Sequence, residues 1–356
     1  MKKNKKAIFK YFIIPCFVLI LLSIFLVFLI KKHEKYIEIF GEYNLIEEEG
    51  LKEAKKYDKI LENESIKDIY DYLVIDLDNN MLFSTVVMDY IFENLYVKAT
   101  ANEKFNLFYL YYYNMSCLED EYTEYLKNPY NLQWLNLNYN GYDLNSLEGI
   151  SKIKDRPILR STLINMKVNG LKIFNNYPSM EAQFDYDLFI DKFEDILDKE
   201  YIDYCKLLSE SQTVILNPGG QSFNYLGEIW YLHNFETFIK NCDNIYLKGA
   251  AQDIYEQNLA LFFGQYDDSL FYSDTSSYVV NNNLIITLNS YLELYPNDST
   301  AILCEKALDL IETNNGKYDI IDTLNSYINQ FINDANWLPK DPSTNDFSDN
   351  KIIEFS

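Results

Sequence analysis

Twenty consecutive residues near the N-terminus, Tyr11 to Ile30, carry no charge and constrain the chain more than any other feature. A run of about 20 apolar residues is the length that an α-helix needs to cross the hydrocarbon core of a bilayer. Pro15 lies inside this run, and lipid-embedded helices tolerate an internal proline better than soluble helices do. The sequence therefore predicts a membrane-spanning helix at residues 11–30, which makes the lipid bilayer the first predicted partner.

The lysines on either side of this run predict its orientation. Five precede it and three follow it: Lys2, Lys3, Lys5, Lys6 and Lys10, then Lys31, Lys32 and Lys35. The more positive flank stays cytoplasmic, so the N-terminus is predicted inside and the C-terminal domain outside the cell membrane. A cleaved signal peptide has the same order of charges, but its apolar region is only about 7–15 residues long and a small-x-small cleavage site follows it. The uncleaved anchor is favoured, because this run is longer and bulky charged residues follow it.

The predicted layout has five parts. A cytoplasmic tail (1–10) precedes the membrane helix (11–30), and a juxtamembrane linker (31–50), an extracytoplasmic domain (51–340) and a C-terminal tail (341–356) follow. Apolar residues make up 48% of the chain, which excludes a disordered stalk. The chain has only 11 Gly and 8 Pro, few for the many turns of a β-sandwich, so an all-α domain is predicted.

Charge and metal-binding residues exclude several functions. Residues 36–356 hold 53 of the 54 acidic residues but only 23 of the 31 basic ones, a balance that repels nucleic acids and anionic lipid. The spacing of Cys117, Cys205, Cys242 and Cys304 matches no metal site, and the chain has only two histidines. We therefore predict no metal and no cofactor, and His233 is the single candidate for histidine-assisted nucleophilic catalysis. One or two disulfides and buried free thiols both remain open.

Hydrophobic periodicity predicts most of the helices. They are expected at 81–97, 103–114, 161–175 and 225–241, and a further amphipathic helix is expected to start at Pro178 and Ser179. Residues 128–160 are the least periodic part of the domain, and they are predicted to be a long functional loop or a domain seam. The Gly-Gly pair in residues 217–223 is predicted to form a loop before a helix.

A repeat marks the C-terminal third. Residues 285–298 and 321–334 match at eight positions with an offset of 36 residues, and a capped helix is predicted between them from Ser299. A repeated helical hairpin cannot bury its apolar face alone, so stacking against neighbouring hairpins is expected.

Two families share features of this region. The sequence GKYDIIDTLNSYINQFIND, with ELYPND one repeat earlier, resembles the second helix and terminal Pro-Asn of a tetratricopeptide repeat, although Ile321 replaces a small alanine and the period is two residues longer. Residues 261–311, with their YD...LFYSD loop and following hairpin, resemble helical hairpins of bacterial (α/α)6 toroid glycosidases. These likenesses imply a toroid or a short solenoid of antiparallel hairpins.

The toroid likeness implies glycan chemistry with two opposed carboxylates, one of them a protonated acid in an apolar environment. Glu228 lies beside Trp230, Glu181 and Asp185 lie one helical turn apart, and Asp268 precedes Phe271 and Tyr272 in the aromatic loop. The four carboxylates are the predicted catalytic residues, and the three aromatic residues are predicted to stack on a sugar. The same acids also suit helix caps and turns.

Three functions are therefore expected to compete. In the first, the domain binds or cleaves cell-surface polysaccharide, with an active or a degraded catalytic centre. In the second, it is a helical-repeat scaffold for an envelope, secretion or immunity protein. In the third, it is an accessory or immunity component that shields its own envelope.

Overall fold

The computed structural model describes residues 41–78, 82–176, 178–214, 225–263, 272–274, 279–313 and 321–334. The described chain is mostly helical, which confirms the all-α prediction. The helices are α1 (residues 41–54), α2 (Asp58–Asn63), α3 (Ile66–Asp78), α4 (Thr85–Tyr96), α5 (Ala101–Lys127), α6 (Pro129–Asn138), α7 (Leu147–Ile150), α8 (Pro157–Val168), α9 (Tyr186–Phe193), α10 (Lys199–Val214), α11 (Tyr225–Asn241), α12 (Ile245–Phe262), α13 (Asn282–Leu294), α14 (Ser299–Thr313) and α15 (Ile321–Asp334). Two small antiparallel sheets accompany them: β1 (Leu171–Asn176) with β2 (Ser179–Phe184), and β3 (Tyr272–Asp274) with β4 (Val279–Val280).

The predicted membrane helix at residues 11–30 lies outside the described residues. Within the described part of the chain, no helix combines the length and apolar character needed to cross a membrane.

The chain divides into two compact units. Among the described residues, unit 1 contains those from 41 to 91, Tyr113–Phe174 and Ser179–Phe184, and unit 2 contains Phe92–Tyr112, those of 175–178 and those from Asp185 onward.

Two buried asparagines organise unit 1 around the start of α4. Asn114 on α5 accepts the amide of Phe83 and donates to its carbonyl, with both distances 3.0 Å. Asn169, at the end of α8, accepts the Thr85 amide at 2.9 Å, and its carbonyl accepts the Thr85 hydroxyl at 2.9 Å. Backbone groups buried before a helix need such partners, because an unpaired one costs about 1–3 kcal/mol. The two amides therefore connect α4 with α5 and α8.

The β1–β2 hairpin corrects two expectations. Residues 161–175 do not form one helix: α8 starts earlier, with Pro157 in its first turn, and ends at Val168. Gly170 then has φ +65°, a left-handed conformation that favours glycine, and β1 follows. The helix expected from Ser179 is also wrong at its start, because residues 179–184 form β2 and α9 begins only at Tyr186.

Side chains of unit 1 cover both edges of this hairpin. On β2, the Ala182 amide donates to the Thr123 hydroxyl at 2.9 Å and the Phe184 amide donates to Glu119. On β1, Asn145 donates to the Ile173 carbonyl at 2.9 Å and accepts its amide. An uncovered strand edge would be a template for pairing with other chains, so these bonds also protect unit 1 from aggregation.

Residues 128–160 are not the long loop or seam that their weak periodicity suggested. They contain α6, which Asn128 caps and Pro129 begins, and α7, which Ser146 caps. The short lengths of these helices and their many asparagines obscured the helical period.

Unit 2 has an aromatic core. Phe92, Tyr111, Phe189 and Phe193 contact one another with ring centroids 4.9–6.2 Å apart. Such edge-to-face and tilted pairs contribute about 0.5–1.5 kcal/mol each beyond their burial. The tyrosines and phenylalanines of this region therefore pack the interior.

Sequential helices of unit 2 pack as neighbours: α10 on α11, α11 on α12, α13 on α14, and α14 on α15. The two copies of the sequence repeat form α13 and α15, and the helix between them starts at Ser299 as predicted. Leu288 and its repeat equivalent Leu324 are both fully buried. This repeated leucine thus packs into the interior from both helices.

Candidate functional sites

Glu181 and Asp185 do not share a helix face, because β2 ends at Phe184 between them. Glu181 lies on β2 and forms an ion pair with Lys127 at 3.1 Å. Asp185 caps α9, and its carboxylate accepts the Leu188 amide at 3.4 Å. Glu181 is therefore paired with a lysine of α5, and only Asp185 lies where an acid favours a helix N-terminus.

Glu228 lies in a largely buried environment. It lies in the first turn of α11, and one carboxylate oxygen is buried with no hydrogen-bond partner among the described residues. Burial raises the pKa of Glu228 to about 7, because the charged form loses its hydration. Trp230 lies two residues along and packs edge-on against Tyr231 at 5.5 Å. The side chain is therefore poised to hold a proton near neutral pH.

The remaining predicted residues belong to the aromatic loop. Asp268 and Phe271 lie outside the described residues. Tyr272 begins β3 and pairs with Val280 on β4. The expectation that Asp268 and these rings lie across from Glu228 therefore stays a prediction.

His233 lies in a polar network between α11 and the start of α14. Its Nδ1 is 2.8 Å from Asp298 Oδ2, and the same oxygen accepts the Tyr291 hydroxyl at 2.9 Å. The imidazole ring stacks on Tyr295, with centroids 3.6 Å apart. Asp298 is the residue before α14, so the histidine is linked to a helix cap.

Glu236 completes this network one helical turn further along α11. Its carboxylate is buried and accepts the Ser299 amide, the Thr300 amide at 2.9 Å and the Thr300 hydroxyl at 2.6 Å. Lys240 forms an ion pair with it. Two backbone donors at the start of α14 are thus satisfied by another helix. Sequence reasoning missed Glu236, because its partners lie more than 60 residues away.

An open groove runs along the antiparallel pair α10 and α11 and encloses about 300 Å³. Glu200, at the start of α10, accepts the amides of Asp243 and Asn244, which follow the end of α11. The start of one helix therefore lies beside the end of the other, as in an antiparallel pair. We call this the α10–α11 groove; it is lined by Glu200, Asp203, Lys206, Leu207 and Glu210 on α10 and by Asn234, Thr237, Phe238, Asn241 and Cys242 on or just after α11.

The groove is acidic and partly aromatic. It contains three carboxylates and one lysine, and Phe238 packs against Tyr204 with ring centroids 5.5 Å apart. Sequence reasoning did not select these residues. They recur at helical spacing, but every exposed helix has such a polar face, so only the packing of α10 on α11 reveals them.

The four cysteines outside the predicted membrane helix are free thiols, and three of them are buried. Burial raises the pKa of the Cys205 and Cys304 thiols and raises that of Cys242 to about 12. Among the described residues, no group of three or more His, Cys, Asp or Glu side chains is arranged to hold a metal ion.

In comparisons with known proteins, no family model, curated protein or solved structure matches the chain.

Proposed function

We propose that the protein is a membrane-anchored helical scaffold whose α10–α11 groove binds a basic segment of another envelope protein. Residues 11–30 supply the anchor in this proposal, and α10 to α15 form a short array of antiparallel hairpins. The packing of α10 on α11, of α11 on α12 and α13, and of α14 on α13 and α15 supports the array.

The acidic groove is the observation that carries the proposal. Its open shape and its length along two helices suit an extended or helical segment. Asp203 and Glu210 add negative charge in a chain whose net charge is already −23, so a basic partner is attracted and an acidic polymer is repelled. Phe238 offers an apolar contact in the same groove.

Site-directed photocrosslinking in the native cells tests this proposal. A photoreactive phenylalanine analogue replaces Thr237, an exposed groove residue, and the matched control carries it at Glu312, an exposed residue of α14. We expect one discrete protein adduct from position 237, absent from position 312, and its crosslinked segment should be rich in Lys and Arg.

Charge variants make the experiment specific. Asp203→Asn with Glu210→Gln removes two groove charges, whereas Glu121→Gln with Glu124→Gln removes two exposed charges of α5. Exposed charges contribute about 0.2–1 kcal/mol each, so the groove pair should weaken binding roughly two- to thirty-fold and the α5 pair should not. Equal adducts in both double variants, or an adduct only with polysaccharide, would contradict the scaffold proposal.

Glu228 favours a second candidate function, the cleavage of cell-surface polysaccharide. A pKa near 7 lets this carboxyl donate a proton to a leaving oxygen at neutral pH. The test incubates the full chain in nanodiscs with cell-wall and exopolysaccharide fractions and measures released reducing ends. Release that Glu228→Gln abolishes would support the enzyme; no release by the unsubstituted protein from any fraction would end it.

A further inference from the structure

A basic segment in unit 1 stands out from the acidic chain. Between residues 151 and 173 the sequence holds six bases, Lys152, Lys154, Arg156, Arg160, Lys167 and Lys172, and one acid, Asp155. Arg156 and Arg160 are the only arginines of the whole sequence. Arginine differs from lysine in binding phosphate oxygens with a planar, forked set of donors.

Exposed apolar side chains accompany these bases. Tyr130 is 67% exposed and Leu137 is 78% exposed on α6, and Ile158 is 75% exposed in the first turn of α8. Tyr130 and Leu137 are seven residues apart, so they lie on the same face of α6. No residue of α6 is charged.

Arg156 connects the basic residues with the exposed apolar residues. Its guanidinium carbon lies 3.6 Å from the centre of the Tyr130 ring, which holds the start of α8 against α6. One terminal nitrogen, Nη1, is buried without a hydrogen-bond partner among the described residues. We call the apolar residues Tyr130, Leu137 and Ile158, together with the bases Lys152, Lys154 and Arg156, the α6–α8 face.

This face lies near α1, the first described helix after the predicted anchor. Ser161 of α8, one turn from Ile158, donates to Glu42 of α1 at 2.6 Å. Glu42 follows Ile30, the end of the apolar run, by twelve residue steps. Even fully extended they reach only about 40–43 Å, so a membrane anchor would keep the face at a high local concentration beside the bilayer.

We propose that the α6–α8 face docks on the surface of the bilayer that holds the anchor, with its bases at anionic phosphate headgroups and Tyr130, Leu137 and Ile158 at the interface. Tyrosine rings and aliphatic side chains suit the headgroup boundary, and nearby Lys and Arg add attraction to anionic lipid. The rest of residues 36–356 is strongly acidic, so an anionic surface repels it and selects this face. The inference rests on the proposed anchor but not on the α10–α11 groove.

Spin-label depth measurements on the full chain test the docking. A nitroxide is attached to Leu137→Cys, and its collision rates with oxygen and with a water-soluble nickel chelate are compared in three environments. These are phosphatidylcholine nanodiscs, nanodiscs with about one third phosphatidylglycerol, and detergent micelles. Protein without the substitution gives the background from the native cysteines.

We expect the oxygen-to-nickel ratio at position 137 to rise at least two-fold in the phosphatidylglycerol discs over micelles. The rise should be smaller in neutral discs and should fall with added salt. Lys152→Gln with Lys154→Gln and Arg156→Gln should remove most of it. The matched control, Lys52→Gln with Lys59→Gln and Lys67→Gln at exposed positions of unit 1, should not. If the triple variant unfolds by circular dichroism, Lys152→Gln with Lys154→Gln alone should lower the ratio.

Several results would overturn the proposal. One is a label at position 137 that the nickel chelate reaches equally well in anionic discs and in micelles. Another is an equal decrease of the oxygen-to-nickel ratio in the two triple variants. A third is protection that appears in micelles and grows with protein concentration, since it would identify a second copy as the occupant. Failure of the chain to enter nanodiscs would also reject it, because the tether would be absent. None of these results depends on the Thr237 crosslink.

Discussion

Replacing Glu236 tests whether the buried carboxylate holds α14 in place. Its side chain is 1% exposed, and it accepts the Ser299 and Thr300 amides and the Thr300 hydroxyl. In Glu236→Ala these donors lose their acceptor, and Lys240 loses its counter-ion. A buried donor left without its acceptor costs about 1–3 kcal/mol, so the loss of the Thr300 amide and hydroxyl bonds should lower the free energy of unfolding by about 2–6 kcal/mol.

The expected loss corresponds to a clear thermal shift. For a folded unit of about 150–250 residues, 1 kcal/mol shifts the unfolding midpoint by about 2–4 °C, so we expect a decrease of roughly 4–24 °C. Circular dichroism at 222 nm on the full chain in detergent measures it. Glu236→Gln keeps the volume and one acceptor oxygen, and it should lie between the parent and Glu236→Ala.

A matched control and a local measurement complete the test. Glu293→Ala removes an exposed acid from α13 and should change the midpoint by less than about 2 °C. Hydrogen exchange should accelerate first at the Ser299 and Thr300 amides in Glu236→Ala. A midpoint within about 2 °C of the parent, with unchanged exchange at these amides, would refute the role of Glu236.

Three further predictions concern a closely packed glycine, the buried Glu228 and three buried cysteines. In Gly149→Ala the new Cβ would lie 1.7 Å from the Asp143 carbonyl oxygen, whereas in Gly141→Ala it would meet nothing within 4 Å. Thermal melts should show that Gly149→Ala lowers the free energy of unfolding by at least about 1–3 kcal/mol and that Gly141→Ala changes it little. Equal melting midpoints of the two variants would contradict this. The pKa of Glu228 is near 7 in the folded chain and 4.5 ordinarily, so between pH 4.5 and 7 the folded chain holds a proton that the unfolded chain has lost, and stability falls as pH rises through this range. Glu228→Gln should therefore be more stable than the parent at pH 8 but not at pH 4. The same dependence of stability on pH in both proteins would disprove the raised pKa. Thiol titration of the native chain should be slow at Cys205, Cys242 and Cys304, because all three are buried, and fast only after denaturation; rapid reaction of these three without denaturant would contradict the packing.

The helices that the sequence predicted well have strong local signals. The run from Tyr225 to Asn241 is a helix over its full length, and α14 begins at the predicted Ser299. Apolar spacing and capping residues act within one or two turns, so they can be recognised without knowledge of the fold.

The β1–β2 hairpin had a local signal that was assigned to the wrong element. Met180, Ala182 and Phe184 are buried at every second position, the period of a strand, but the strong helical pattern that begins at Tyr186 was extended back over them. Consequently Glu181 and Asp185 were expected on one helix face, which does not exist.

The candidate sites depended on contacts that the sequence does not reveal. Glu228 was selected for its apolar neighbours, and its burial raises the pKa of its carboxyl; its role in catalysis stays a prediction. Glu236, Asp203 and Thr237 were not selected, because each is one of many polar residues on amphipathic helices. Only their packing against another helix distinguishes them.

By itself, the sequence determined the helical class, the position of the repeat and the acidic character of the chain, because hydrophobic period, caps and charge belong to neighbouring residues. Only the tertiary structure decided that Glu236 caps α14, that α10 and α11 enclose an acidic groove, and that Arg156 lies over Tyr130. Those features arise where distant segments meet, and a contact between distant segments leaves no periodic trace in the chain.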